Sequence, residues 1–336
     1  MPNLASWRRF AMRGAGALRH WLRREKAWRL RDRWLQQGDG EDHVRRVLGA
    51  PALFVLSPGR SGTELLSRIF RAAGGCDVHH APRPELAYSA REAHRQGVGD
   101  EALEAAVLAA RWEMLETAVM RQRLYVETNN RLSAYAPGIA RLLPAARFLI
   151  LVRHPAAFVR SAVRRGYYDA ADHLHWFPRD TPVASFRQRP PVARAAWLWA
   201  ETYRQIRAFE QGLGAGRCRT VKSEQLFLDP EAASSILAWV GAPALPRRRL
   251  QGLLARPVNV QRGGSFPAYE EWKPAEREQL AVEAGELALH YGYTLTVPSD
   301  VPSAGTSAGT PESAPGEPTR RSSEKSSEPS SEGVAG

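Results

Sequence analysis

The chain has 336 residues, 43% of them hydrophobic, which is enough for one large α/β domain or two smaller ones with a buried core. Its formal charge of +12 calls for an anionic partner (a phosphorylated cofactor, nucleic acid, an acidic polysaccharide or a membrane surface) without choosing among them. The widely spaced Cys76 and Cys218 indicate neither a disulfide framework nor a metal site, and there is no membrane-length apolar run or signal-like N-terminus, so the expected location is cytoplasmic, with membrane association left open.

Up to about residue 48 arginine and tryptophan dominate. Trp21, Trp28 and Leu35 fall seven apart, with Leu18 and Leu22 near the same side, which predicts a basic amphipathic helix. Such a helix either lies on an anionic membrane or packs on the domain that follows. Residues 37–42 end it as a polar linker. An apolar block at 53–56, a small-residue turn at 57–63 and helical spacing of Leu65, Leu66, Ile69 and Phe70 then read as strand, tight loop and helix. Gly74 and Gly75 close that helix, and residues 76–80 form a second strand. Asp100 caps a long helix through Leu103, Val107, Leu115 and Val119. Residues 124–128 are a third strand, followed by a helix over 139–143. The strongest strand is 147–152, an unbroken apolar run suited to cover on both faces.

Helical patterns recur over 158–163, 195–209 and 231–240 and from Pro274 to Leu289, with a further strand at 219–222. The aromatic, histidine-rich stretch 167–191, with Tyr167, Tyr168, His173, His175, Trp176 and Phe177, has no readable fold and serves either as an acceptor wall or as a satellite core. The alternation predicts an α/β fold, a central parallel sheet flanked by helices. The plan is a basic helical arm (1–48), one catalytic domain (49–297) and a tail (298–336) too rich in Ser, Pro, Gly and Glu to bury anything, hence disordered.

The first loop carries the clearest chemistry. Gly59 and Gly62 allow backbone angles closed to other residues, so amides converge where the helix exposes unpaired N–H groups, a setting that favours an anion and above all a phosphate. A glycine pair alone also fits a plain surface turn. Arg60, Ser61 and Thr63 add a fixed charge and hydroxyl donors at the same mouth. The loop is not a Walker A motif, because Gly62-Thr63-Glu64 stands where Gly-Lys-[Ser/Thr] is required, which argues against an ATP or GTP hydrolase. Arg153 ends the strongest strand, and Ser161 lies about two turns into the next helix, so both can face one crevice. Two anion-binding elements at strand ends suit a ligand with two separated phosphates. Taken singly, Arg153 reads equally as a salt-bridge partner and Ser161 as an ordinary helix residue.

In these residues the chain resembles the sulfotransferase family, which uses 3′-phosphoadenosine 5′-phosphosulfate and leaves adenosine 3′,5′-bisphosphate. The resemblance implies a P-loop NTPase-like sulfotransferase fold, with Pro58, Gly59, Arg60, Ser61, Gly62 and Thr63 as the 5′-phosphosulfate loop and Arg153 with Ser161 as the 3′-phosphate pair. Weaker echoes are Lys222-Ser-Glu-Gln-Leu with Asp229-Pro230, and Gln261-Arg262-Gly263-Gly264 ahead of Trp272, which is similar to the family's Arg/Gly loop near the 3′-phosphate. The family's Lys-Thr-His-x-Pro pattern aligns with Val78-His79-His80-Ala81-Pro82. That makes His80 the general base, with Glu127 on the neighbouring strand as the second choice. Val78 replaces a lysine of the pattern, Arg60 stands where many members have lysine, and Glu64 adds an unexplained negative charge.

The resemblance thus implies in-line sulfuryl transfer to a hydroxyl or amine, with His80 taking the acceptor proton, Arg60 stabilising charge, and Arg153, Ser161 and Arg262 selecting the donor without a metal. The acceptor is expected to be a small molecule, carbohydrate or lipid, with the arm as a membrane contact and no nucleic-acid partner. Two rival readings are a nucleotide-dependent phosphotransferase or kinase, which would need the missing loop lysine, and a non-enzymatic basic protein binding nucleic acid or membrane.

Overall fold

Five strands, β1 (Ala52–Leu56), β2 (Cys76–His80), β3 (Leu124–Thr128), β4 (Ala146–Val152) and β5 (Cys218–Lys222), pair in parallel in the order β2-β3-β1-β4-β5. They are seen in a computed structural model that describes residues 40–169, 175–214, 216–256 and 264–295, together with Arg29, Arg31, Asp32 and Gln36. The helices of these residues are α1 (Gly40–Leu48), α2 (Thr63–Ala73), α3 (Ala87–Gln96), α4 (Asp100–Met120), α5 (Ala136–Leu142), α6 (Pro155–Arg164), α7 (Val183–Gln188), α8 (Pro191–Gly212), α9 (Ser223–Leu228), α10 (Pro230–Val240), α11 (Arg247–Leu254) and α12 (Pro274–His290).

Strand alternation divides the core in two. Phe54, Leu56, Phe148, Ile150 and Val152 point to a layer containing Val107, Leu115, Phe158, Val159, Trp199 and Leu280. Leu53, Val55, Val126, Leu149 and Leu151 point to the other face, against Leu65, Leu66, Ile69 and Phe70 of α2 and Ile236, Leu237 and Leu250 of α10 and α11. Both faces are covered, so β1 is buried throughout and β4 is buried at every residue except Arg147. This is the parallel, helix-flanked sheet predicted from the alternating pattern.

The differences from the sequence reading have local causes. The described part of the polar run expected as a linker, Gly40 to Asp42, opens α1 instead, with Asp42 holding Arg45 and Arg46 at 2.9 Å each and acids leading bases along the helix. Asp100 is the first residue of α4 and Gly99 occupies the cap. The stretch after Tyr167 contains α7, and its buried Tyr168, Trp176, Phe177 and Phe186 join the main core. Helices α3, α9 and α11 are short and went unread.

The arm packs on the domain where it is described: Arg31 and His43 both reach the buried Glu116 of α4, His43 at 2.8 Å, and Val47 is fully buried. Trp21, Trp28, Leu35 and the tail from 298 lie outside the described residues. Among those described, no helix is long and apolar enough to cross a membrane.

Candidate active site

The chain leaves β1 for β2 at one edge, returns to β3, and then crosses to β4 on the other side of β1. Ligands of open parallel sheets sit at such a switch, beyond the carboxyl ends of the strands. Residues 57–62 turn from β1 into α2 at that point. Gly59 (φ 83°) and Gly62 (φ 93°) are left-handed, and so is Arg60 (φ 54°), a conformation that costs a non-glycine residue about 1–3 kcal/mol and clusters at functional sites. The Gly59 amide donates to Ser57 Oγ (3.2 Å), Ser61 Oγ to the Gly59 carbonyl (3.0 Å) and Ser223 Oγ to the Ser61 carbonyl (2.7 Å), so the turn is pinned from inside and from the start of α9.

Arg60 and Arg153 meet at this loop. Arg60 Nε donates to Ser161 Oγ at 3.0 Å, and Arg153 donates through a terminal nitrogen to the Arg60 carbonyl at 2.6 Å. Burial pushes both guanidinium groups below their ordinary value. For Arg153 the carboxylate of Glu224 offsets part of that fall and Arg60 adds to it. Glu224 is itself fixed by the His154 amide (3.0 Å) and the Tyr293 hydroxyl (2.7 Å). Among the described residues the two terminal nitrogens of Arg60 have no protein partner, so two neighbouring, partly buried cations leave donors unused at a glycine loop.

His80 closes the other side. Its Nδ1 lies 2.8 Å from Thr128 Oγ1, which lies 2.6 Å from Ser67 Oγ on α2. Burial pushes the His80 imidazole below its ordinary value, Arg71 adds to the fall, and Glu64 together with hydrogen bonding at Thr128 restores only part of it. Glu64 therefore has an account: it leans back on Arg68 (3.2 Å) within α2, and its charge is felt at His80.

Glu127 lies elsewhere. Along β3 the residues alternate, so Thr128 faces α2 while Tyr125 and Glu127 face α4. Glu127 is fully buried and takes a two-point bond from Arg111 (2.8 and 2.9 Å), one from the Tyr125 hydroxyl (2.7 Å) and one from Asn129 (3.1 Å). That is a closed ion-pair network, and Glu127 does not line the cavity that holds His80, so the structure does not bring the second-choice base to the loop.

An open cavity of about 600 Å³ joins Gly59, Arg60, Thr63, His80 and Thr128 to Arg131, Arg165, Tyr167 and His175. Tyr167 and His175, with ring centroids 3.9 Å apart, place the aromatic stretch on its wall. Pro58 is buried beneath the loop. Arg262 and Gly263 lie outside the described residues, but the segment just beyond docks on α6: Arg164 Nε donates to the Gly264 carbonyl (3.1 Å) and Arg160 Nε to the Phe266 and Pro267 carbonyls (3.0 and 2.9 Å). Sequence reasoning missed Ser67, Thr128 and Glu224. Thr128 was findable, because in adjacent parallel strands of equal reading it falls opposite His80. Among the described residues no three His, Cys, Asp or Glu side chains gather as a metal site.

A helix-flanked parallel sheet whose first strand turns through a glycine loop into a helix at the switch point is a P-loop-like α/β fold. The model described as "Sulfotransferase family" matches residues 51–246, more than half of the chain. The chain belongs to the sulfotransferase family and is in class a transferase. Among solved structures it is similar to the sulfotransferase domain of the Synechococcus PCC 7002 olefin synthase (20% identity, TM-score 0.45, covering 74% of this chain and 96% of that one). It is similar also to a sulfotransferase from Alicyclobacillus acidocaldarius (15%, 0.45, 73% and 97%). No curated protein sequence matches significantly.

Proposed function

We propose that the protein transfers a sulfuryl group from 3′-phosphoadenosine 5′-phosphosulfate to a hydroxyl or amine acceptor, with His80 as the general base. The observation that carries this reading is the convergence of Arg60 and Arg153 on a glycine loop opposite His80. The residues fit such a donor. A Cβ at Gly59 would come within 3.0 Å of Asn130 Nδ2 and one at Gly62 within 2.5 Å of Phe227, so neither position accepts a side chain, and the left-handed turns that expose the loop amides are kept by glycine.

Residues 58–63 hold the 5′-phosphosulfate end, and Arg153 with Ser161, joined by Arg262 and Gly263, holds the 3′-phosphate. Bound there, the donor supplies a sulfuryl group whose bond to the phosphate oxygen breaks as the acceptor oxygen or nitrogen bonds to sulfur. Arg60 and the loop amides are already aimed at the charge that grows on the oxygens, which lowers the barrier without reorganisation. His80, whose imidazole partial burial pushes below its ordinary value, takes the acceptor proton. Tyr167 and His175 line the acceptor side, where a small molecule, carbohydrate or lipid is to be received.

The test is thermal unfolding of the full chain with adenosine 3′,5′-bisphosphate against AMP and ADP, followed by labelled-sulfate transfer in cell extracts. Stabilisation confined to the bisphosphate and lost in Arg153→Ala is expected. Equal stabilisation by ADP, or none by any of the three, overturns the donor assignment.

A further inference from the structure

We infer that Thr128 and Ser67 are positioning residues that hold His80 with its proton on Nδ1 and thereby turn a bare Nε2 lone pair toward the cavity. The inference rests on the hydrogen-bond inventory around His80, and its use in catalysis rests on the function proposed above.

Three contacts run in series: His80 Nδ1 to Thr128 Oγ1 (2.8 Å), Thr128 Oγ1 to Ser67 Oγ (2.6 Å) and Ser67 Oγ to the Thr63 carbonyl (3.1 Å). The last acceptor is a carbonyl, which has no proton to give, so the Ser67 hydroxyl must donate to it. Ser67 then accepts from Thr128, and Thr128, its one proton spent, accepts from His80. All three bonds form together in that direction only. The opposite direction, with Thr128 donating to Nδ1, leaves the Ser67–Thr63 contact without a proton. Ser67 is fully buried and Thr128 nearly so, so water offers neither of them an alternative partner.

The sequence places this series economically. His80 and Thr128 are register partners at the ends of β2 and β3, and both project toward α2, where Ser67 sits one turn after Thr63. The series therefore starts on the first turn of the helix that carries the anion loop and ends on the ring opposite that loop. Among the described residues Nε2 has no protein partner, and the ring lines the cavity beside Arg60. A base needs its lone pair where the acceptor proton is, and histidine in water carries its proton mainly on Nε2, the wrong nitrogen for this geometry. In transfer, the acceptor proton goes to Nε2 while the Nδ1 proton stays with Thr128. The positive charge formed on the ring is met by the oxygen dipoles of Thr128 and Ser67. No further reactant is required.

The experiment is nitrogen NMR of the neutral histidines in the ¹⁵N-labelled full chain, in which His80→Gln identifies the His80 signal among the nine histidines. Wild type should show a protonated Nδ1 and an unprotonated Nε2. Thr128→Val, close in shape but without the hydroxyl, should shift the ring toward Nε2–H, and Thr128→Ser should restore the wild-type pattern. Once an acceptor is found, Thr128→Val should lower kcat by about tenfold, less than the hundred- to ten-thousandfold a general base itself is worth, with KM for the donor little changed. An Nε2–H ring in wild type, or a tautomer unmoved by Thr128→Val in a folded protein, overturns the inference. Because the signal is read without substrate, this outcome is separable from failure of the base assignment, which would appear as undiminished transfer in His80→Gln.

Discussion

Arg60 and Ser161 stand 101 residues apart and are joined by a 3.0 Å bond from Nε to Oγ. The contact ties the loop after β1 to the helix after β4, so the two elements proposed to hold the donor form one surface. Arg60→Ala removes both the charge and this tie and should lower transfer by about a hundred- to a thousandfold. Arg60→Lys keeps the charge but has no Nε–H fork to span Ser161 and the ligand together, so an intermediate loss is expected. Ser161→Ala should act mainly on the KM for the donor. Steady-state kinetics of the three variants checks the order.

His80 is held below the ordinary imidazole value by burial, with Glu64 opposing that fall. A base works only while unprotonated, so kcat/KM should fall toward acid with its midpoint below that of a free histidine. Glu64→Gln removes the anion that favours the protonated ring. The midpoint should therefore move further toward acid, not toward alkali. A pH–rate profile of the two proteins, or an NMR titration of His80, tests the sign, and a midpoint displaced upward would contradict the electrostatic account.

Two inner strands were legible from unbroken apolar runs, because a strand covered on both faces cannot hide its composition: residues 53–56 and 147–152 were readable for that reason, while the order of the strands in the sheet was not read. That Gly59, Arg60, Arg153 and Ser161 would share one crevice was likewise legible from their places at strand ends and in the first turns of helices, and the structure joins Arg60 to Ser161 and Arg153 to the loop. What could not be read was which face each polar strand residue takes. Glu127 and Thr128 are neighbours in sequence, yet one is sealed under α4 by Arg111 and the other supports His80. Alternation along β3 puts them on opposite faces, and the pairing with β2 is what sets Thr128 beside His80. Glu64 and Arg68 are one turn apart on a helix that was read, so their pairing was findable, whereas the influence of Glu64 on His80 depends on how β2 packs beside α2.

Glu127 should behave as a structural residue. Its carboxylate is fully buried and accepts four bonds, two of them from a guanidinium that is itself 1% exposed. Glu127→Ala leaves the Arg111 charge uncompensated in the core, at a cost on the order of 3–5 kcal/mol. Denaturant unfolding should register that loss in full. Glu127→Gln keeps the shape and should be milder, and any fraction that folds should retain the pH–rate profile of wild type. A folded Glu127→Gln variant with an intact midpoint for unfolding but an abolished kcat would return the residue to the chemistry.

Gly62 carries two constraints that can be separated. Its φ of 93° is costly for any residue with a side chain, by about 1–2 kcal/mol, and a Cβ would sit 2.5 Å from Phe227 Cε1. The Phe227 ring in turn lies 5.9 Å from the Arg153 guanidinium, so pressure at Gly62 is passed from the loop to the residue proposed to hold the 3′-phosphate. Gly62→Ala should therefore weaken stabilisation by adenosine 3′,5′-bisphosphate more than a backbone penalty alone would. Phe227→Ala opens the space, and in the double variant the steric part of the loss should be recovered while the conformational part remains. The two substitutions are then non-additive, with the double variant binding better than the sum of the singles. Strict additivity in the thermal shifts would mean that the loop and the Arg153 anchor respond independently, and that the ring contact transmits nothing between them.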